Sequence, residues 1–255
     1  MKVTASIFAV LSFLTLGVAQ DPDLKELSSK IEKGTETSRL KAIEQAGQLG
    51  EKGKPLLRTL STGMLAKEQK VRVASAAAMK LIDDNVADLA VKLILNFDKV
   101  DFEVIQKQGA SVVEPLVPLL INRFDFLLNQ PRPSDAILSK SQLILNCLYT
   151  NAPNDDDVNK LILRVLKSPL KHLQHTGVIG ARLIKDGRKG MDDIIRIAKI
   201  CPDEGIRLEA IKSVIELTDD DNRKTVTKSL SEIRFDNSET IRKAVDNALD
   251  KIKSK

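Results

Sequence analysis

The sequence predicts an all-α protein, an α-solenoid of about six stacked antiparallel helix pairs. Three observations predict it. Apolar residues recur three and four positions apart through nearly every segment. A short motif returns every 33 to 35 residues along parts of the chain. Aromatic residues make up only 3% of the sequence, with no Trp and one Tyr. Such a core is built from Leu, Ile, Val and Ala, which suits many small helix–helix contacts. β-branched residues seldom alternate with polar ones, so strands are not expected.

The first element is a leader. Residues 1–19 hold one base, Lys2, then an apolar run from Ile7 to Val18, with the small residues Gly17 and Ala19 at its end. That order is the pattern of a secretory signal cleaved after Ala19, leaving Gln20 as the mature start. The run is shorter than the ~20 apolar residues of a spanning helix, so the mature form has no membrane span. The expected address is secreted or periplasmic. Losing Lys2 lowers the net charge from +5 to +4, a balance that points to no nucleic-acid partner. Residues 20–36 are expected to form a lead-in helix before a solenoid over 37–255.

The motif is clearest in DEGIRLEAIKSVIEL, residues 203–217. Asp203 is a helix N-cap and Glu204 suits the positive end of the helix dipole. Ile206, Ala210, Ile211, Val214 and Ile215 form one apolar stripe, with the small Ala210 admitting a neighbouring helix. Glu209 falls on the solvated side. Arg207 lies just off the stripe, placed to tie its helix to an acidic turn of the next repeat. The same position is taken by Arg39, by Arg72 thirty-three residues on, and by Arg242 thirty-five after Arg207. Gln174 stands there in LKHLQHTGVIGARLI, thirty-three before Arg207. Pro55 and Pro115, each a few residues after a Gly, are expected to open second helices. Further second helices are VADLAVKLILNF, DVNKLILRVLKS, MDDIIRIAKIC and NRKTVTKSLSEI.

An arginine, a small residue and a Gly…Pro turn at this period resemble the HEAT repeat family. The resemblance covers residues 37–99 and 169–252. Between them, segment 100–133 departs from the pattern, with a short first helix, DFEVIQKQ, and an irregular stretch, NRFDFLLNQPRPSD, so the third unit is degenerate. The pair after it lacks the arginine. The resemblance implies stacking roles for Arg39, Arg72, Arg207, Arg242 and Ala210. It also implies that second helices line the concave surface.

Few residues point to chemistry. His172 and His175 share a helix face and could begin a metal site with Asp192 or Asp193. They are the chain's two histidines, so polar helix positions are the simpler reading. HEAT-like iron hydroxylases hold metal with His-Glu pairs, which this chain lacks. Cys147 and Cys201 lie in apolar stretches at opposite ends of antiparallel helices, so two separate buried thiols are expected. GQLGEKGK, residues 47–54, fails the phosphate-loop spacing, and Pro55 replaces its Ser or Thr. No Ser/His/Asp set or Gly-x-Ser-x-Gly elbow occurs. The triple acids at 155–157 and 219–221 are expected to open helices. No cofactor, metal or catalytic residue is assigned.

The remaining feature is basic. Arg164 and Lys167, Arg196 and Lys199, and Lys224 and Lys228 each share one face of a second helix. Stacked, they would form a ladder for an acidic partner. The chain therefore reads as an exported, non-catalytic scaffold binding a protein on its concave face. Binding an acidic polysaccharide or anionic surface through the ladder is the alternative, and a HEAT-like enzyme such as a pigment lyase a more distant one.

Overall fold

The computed structural model describes residues 23–130 and 133–254. The expected signal, residues 1–19, lies outside the described residues. Among those residues the structure is helical and contains no strand. The helices are α1 (Leu24–Lys33), α2 (Glu36–Gln48), α3 (Leu57–Gly63), α4 (Gln69–Ile82) and α5 (Asp84–Leu95). Then come α6 (Phe102–Lys107), α7 (Ala110–Leu128), α8 (Asp135–Asn151), α9 (Asp156–Val165) and α10 (Lys171–Ala181). The last are α11 (Met191–Ile200), α12 (Glu204–Leu217), α13 (Arg223–Ile233) and α14 (Glu239–Ser254). Short 3-10 turns occupy Gly50–Leu56, Phe97–Lys99 and Gly187–Gly190.

Side-chain caps fix where these helices begin. Asp83 Oδ1 accepts from Val86 N at 3.1 Å, Asp203 Oδ1 from Ile206 N at 3.1 Å, and Ser238 Oγ from Ile241 N at 3.2 Å. Each satisfies one of the four N–H groups that a helix start leaves unpaired. The first triple acid behaves as expected: Asp155 caps α9 and accepts from Asp157 N and Val158 N. The second does not open a helix directly. Asp219 instead accepts from Asn222 N at 3.2 Å and holds the turn before α13.

The helices pack in two rows. First-row helices adjoin as α2 with α4, and then as α6, α8, α10, α12 and α14 in series. In the second row α1 packs on α3, α7 on α9, and α11 on α13. α1 is thus a member of the stack, and more than a lead-in, because Leu27 and Ile31 bury against it. The stripe read around Ala210 is also found. Ile206, Ala210, Ile211 and Val214 are buried, Ala210 completely, whereas Ile215 is half-buried, and α12 packs on α10, α11 and α14.

The alternation breaks at the degenerate unit. α6 has six residues and packs on α8, leaving no substantial contact with α4. α7 has nineteen residues and packs directly on α3, with α5 set against α4 and α7. Pro115 does not open the second helix. It and Pro118 lie inside α7, whose cap residue is Gly109, at a φ of +83° that favours glycine. Both prolines remove a helical N–H bond, and the long buried face of α7, including Val113, Leu116, Val117, Leu120 and Phe124, offsets that loss. Pro55 likewise lies at the end of a 3-10 turn, just before α3. The break is held by a cation and two rings. The Arg123 guanidinium lies 5.7 Å from both the Phe97 and Phe126 ring centres, within cation–π range.

Candidate interaction surface

The repeat-position arginines do a more local job than their sequence pattern suggests. Arg39 Nε donates to Ile31 O at 2.8 Å, and Arg207 Nε to Ala198 O at 2.8 Å. Arg72 Nη1 donates to Ala66 O and Lys67 O at 2.8 and 2.6 Å, and Arg242 Nη1 to Asp236 O and Asn237 O at 2.6 and 3.1 Å. Gln174 makes the equivalent bond to Ser168 O at 2.7 Å. Each closes the carbonyls at the end of the preceding second helix or of the turn after it, groups a helix C-terminus leaves unpaired. Two of them also reach one repeat onward: Arg39 to Glu68 at 3.1 Å, and Arg207 to the Asp236 carboxylate. Arg207 holds the Asp236 carboxyl below its ordinary pKa, chiefly by hydrogen bonding, with the Ser238 N–H and the Arg242 charge adding to it.

Five of the six ladder residues lie on α9, α11 and α13, as second helices, and Lys167 lies in the turn just after α9. Four of them pair with acids. Arg164 meets Asp125 of α7, Lys167 meets Asp193 of α11 at 3.9 Å, and Lys199 meets Glu232 of α13 at 2.5 Å. Arg196 bonds Leu166 O at 3.0 Å and Asp193 at 3.3 Å, so it is also a C-terminal cap, on α9. Lys224 and Lys228 are exposed. α11 and α13 therefore each carry a carboxylate, Asp193 and Glu232, among their bases. Lys199 lowers the Glu232 pKa by hydrogen bond and charge, and Lys228 adds to the effect.

Glu209 is not a solvated residue. Its carboxylate pairs with Arg182 at 2.5 Å, on a side chain only 13% exposed, and Arg182 also meets Glu216 at 3.2 Å. Another pairing joins distant segments: Arg58 of α3 binds Asp155 and, at 2.9 Å, Asp157 at the start of α9. Neither link follows from local spacing, since the partners lie 27 and 97 or more positions apart.

Cys147 and Cys201 are free and buried, and burial pushes the Cys147 thiol up to about 12. His172 is exposed and His175 half-buried. Among the described residues no three His, Cys, Asp or Glu side chains gather as a metal set, and no helix is long and apolar enough to cross a membrane.

Among the described residues lie several open clefts, three of which are lined as follows. One of about 290 Å³ lies between α7 and α9, lined by Pro118, Ile121, Asp157, Lys160, Leu161 and Arg164. One of about 320 Å³, lined by Lys199, Glu232, Ile233, Phe235, Asp236 and Asn237, is largely polar. The third, about 230 Å³ between α4 and α5, is almost wholly apolar. Large apolar side chains also stand in water at the C-terminal ends of second helices. They are Leu95 on α5 (72% exposed), Phe126 on α7 (55%), Ile200 on α11 (68%) and Phe235 just after α13 (89%). The sequence reading missed this edge. Its one signal was an apolar residue continuing past the buried stripe at each helix end.

No known protein family matches the chain, and no curated protein does. Several solved structures resemble its backbone, two of them as follows. One is a designed armadillo repeat protein, at TM-score 0.39 and 11% identity, over 90% of this chain and 100% of that one. The other is an archaeal HEAT-like repeats protein from Thermococcus onnurineus NA1, at TM-score 0.38 and 13% identity, over 91% and 98%. The solenoid architecture itself is given by the two packed rows of helices.

Proposed function

We propose that this chain is an exported, non-catalytic scaffold that binds a protein partner on the face built from its second helices, which is concave in HEAT-like solenoids. One observation carries the reading: the edge formed by Leu95, Phe126, Ile200 and Phe235. Second helices run in one direction, so their C-terminal ends share an edge, and four of them present a large apolar side chain there. Exposed apolar groups arrayed on one surface mark protein contacts.

The same face argues against a polyanion. Asp125, Asp193 and Glu232 stand among the bases. A polysaccharide laid across the ladder would meet carboxylates at every step, and the paired cations have already spent most of their attraction.

The test is capture from the exported fraction of the native source, with chain beginning at Gln20 as bait. An Ile200→Ser/Phe235→Ser variant changes only exposed positions, so it keeps the fold. Loss of a captured protein by this variant supports the edge. Equal capture by both baits removes the edge from the reading, and absence of any captured protein from wild type removes the reading itself.

A further inference from the structure

The first-row face of α4 lacks the neighbour that its counterparts have. α8, α10 and α12 each pack between two first helices, whereas α4 packs on α2 and has no substantial contact with α6. The reason is length: six-residue α6 is too short to reach back along α4. What would be a helix–helix interface is open to solvent. It is the groove lined by Gln69, Arg72, Val73 and Ala76 of α4 and by Val91, Ile94 and Leu95 of α5. Val73 is 62% exposed and Leu95 72% exposed. Ridges from a third helix fit between two antiparallel helices, as they do elsewhere in this stack.

The rim of the groove carries one dominant sign. Lys70 lies three residues before Val73, and Lys92 three before Leu95, so both border the exposed apolar residues on the same helix faces. Both are exposed, as is Lys67, two residues before the groove-lining Gln69, and Arg72 lines the groove. The nearby acids are engaged elsewhere: Glu68 with Arg39 at 3.1 Å, Asp84 with Lys80 at 3.4 Å, and Asp98 with Lys140 at 2.7 Å. One further carboxylate, Asp88, stands a turn along α5 from Val91. An occupant must therefore offer an apolar stripe flanked by acids.

We infer that the α4–α5 groove is a docking site for an acidic amphipathic helix of a partner protein, which takes the place of the missing first-row helix. This rests on the protein-binding reading above and names the partner's contacting element. A second copy of this chain does not supply that helix at either end of the described stack. Every exposed residue of α1 and of α14 is polar or charged, as in the capping repeats of a solenoid.

The probe is a pair of synthetic helical peptides of about 14 residues, the length of α4, sharing one Leu stripe at i, i+3, i+4 and i+7. One has Glu on its remaining positions and the other has Lys. Fluorescence anisotropy of the labelled Glu peptide should show saturable binding to the wild-type chain, and the Lys peptide should bind at least about tenfold more weakly. Val73→Asp/Leu95→Asp should weaken the Glu peptide at least about tenfold with an unchanged circular dichroism spectrum. Lys70→Glu/Lys92→Glu should invert the preference between peptides. No binding of the Glu peptide, equal binding of both, or binding undiminished by Val73→Asp/Leu95→Asp overturns the assignment. So does sedimentation showing a wild-type dimer that this variant abolishes, since the occupant is then a second copy. A natural partner captured equally by wild type and Val73→Asp/Leu95→Asp overturns the groove while leaving protein binding intact.

Discussion

Arg207→Ala removes a side chain that joins three segments. Its Nε bond closes Ala198 O at the end of α11, and its Nη atoms hold Asp236 in the turn before α14. The carbonyl bond has a charged donor, and such bonds contribute about 1.5–3 kcal/mol. The ion pair is 13% and 16% exposed. It therefore lies between an exposed pair, at about 0–1 kcal/mol, and a buried pair broken on one side, at about 3–5 kcal/mol. Asp236 keeps its Ser238 N–H bond and the nearby Arg242 charge, so it is not orphaned. The expected loss is about 2–4 kcal/mol. Because α12–α14 pack chiefly on α10, α11 and one another, the loss should appear as early melting of α12–α14 while earlier units stay protected. The assay is urea unfolding with hydrogen exchange, run as a double-mutant cycle with Asp236→Asn. A coupling of about 1–2 kcal/mol is expected at neutral pH. The folded Asp236 pKa is depressed, so its contribution is full above the unfolded carboxylate value and disappears as pH falls through the folded one. A melt within about 0.5 kcal/mol of wild type, or a coupling unchanged in acid, would refute this reasoning.

Ala210→Glu should cost several kcal/mol, because it places an unpaired carboxylate at a fully buried site. Glu209→Ala should cost about 1–2 kcal/mol by leaving the nearly buried Arg182 with Glu216 alone, and paired thermal melts rank the two. Cys147, with its thiol pushed up to about 12 by burial, should resist a thiol reagent in the native state and react only after denaturation; fast native labelling would contradict its burial. Lys224→Glu/Lys228→Glu should leave heparin-column retention nearly unchanged if the bases are only a solvated face. A large drop would restore the polyanion reading. N-terminal sequencing of native protein should begin at or next to Gln20, and an intact Met1 would contradict export.

The helices and their caps were legible because they are local. Asp203 and the Ile206–Val214 stripe lie within one helix, and spacing alone places them. The ladder was legible only as a row of cations. Which acid faces Arg164 depends on α7 stacking beside α9, and Asp125 lies 39 residues earlier in the irregular segment. The contact of α3 with α7, and the Arg58–Asp155 link across it, were hidden for the same reason. The groove left one mark in the sequence. Val71 and Val73 stand two apart in α4, roughly 200° apart around the helix, so one stripe cannot bury both. Val71 is buried and Val73 is exposed. The pattern says that an apolar residue is left over, but only the shortness of α6 says why.

Salt dependence of partner capture tests the central claim most directly. Raising salt from about 0.1 M to about 1 M shortens the screening length from about 10 Å to about 3 Å. Capture from the exported fraction by the chain beginning at Gln20 should survive that change, because apolar contacts along the second-helix edge carry it. Capture lost steeply over the same range, together with salt-sensitive retention on heparin, would contradict a packing scaffold and assign the surface to an anionic ligand.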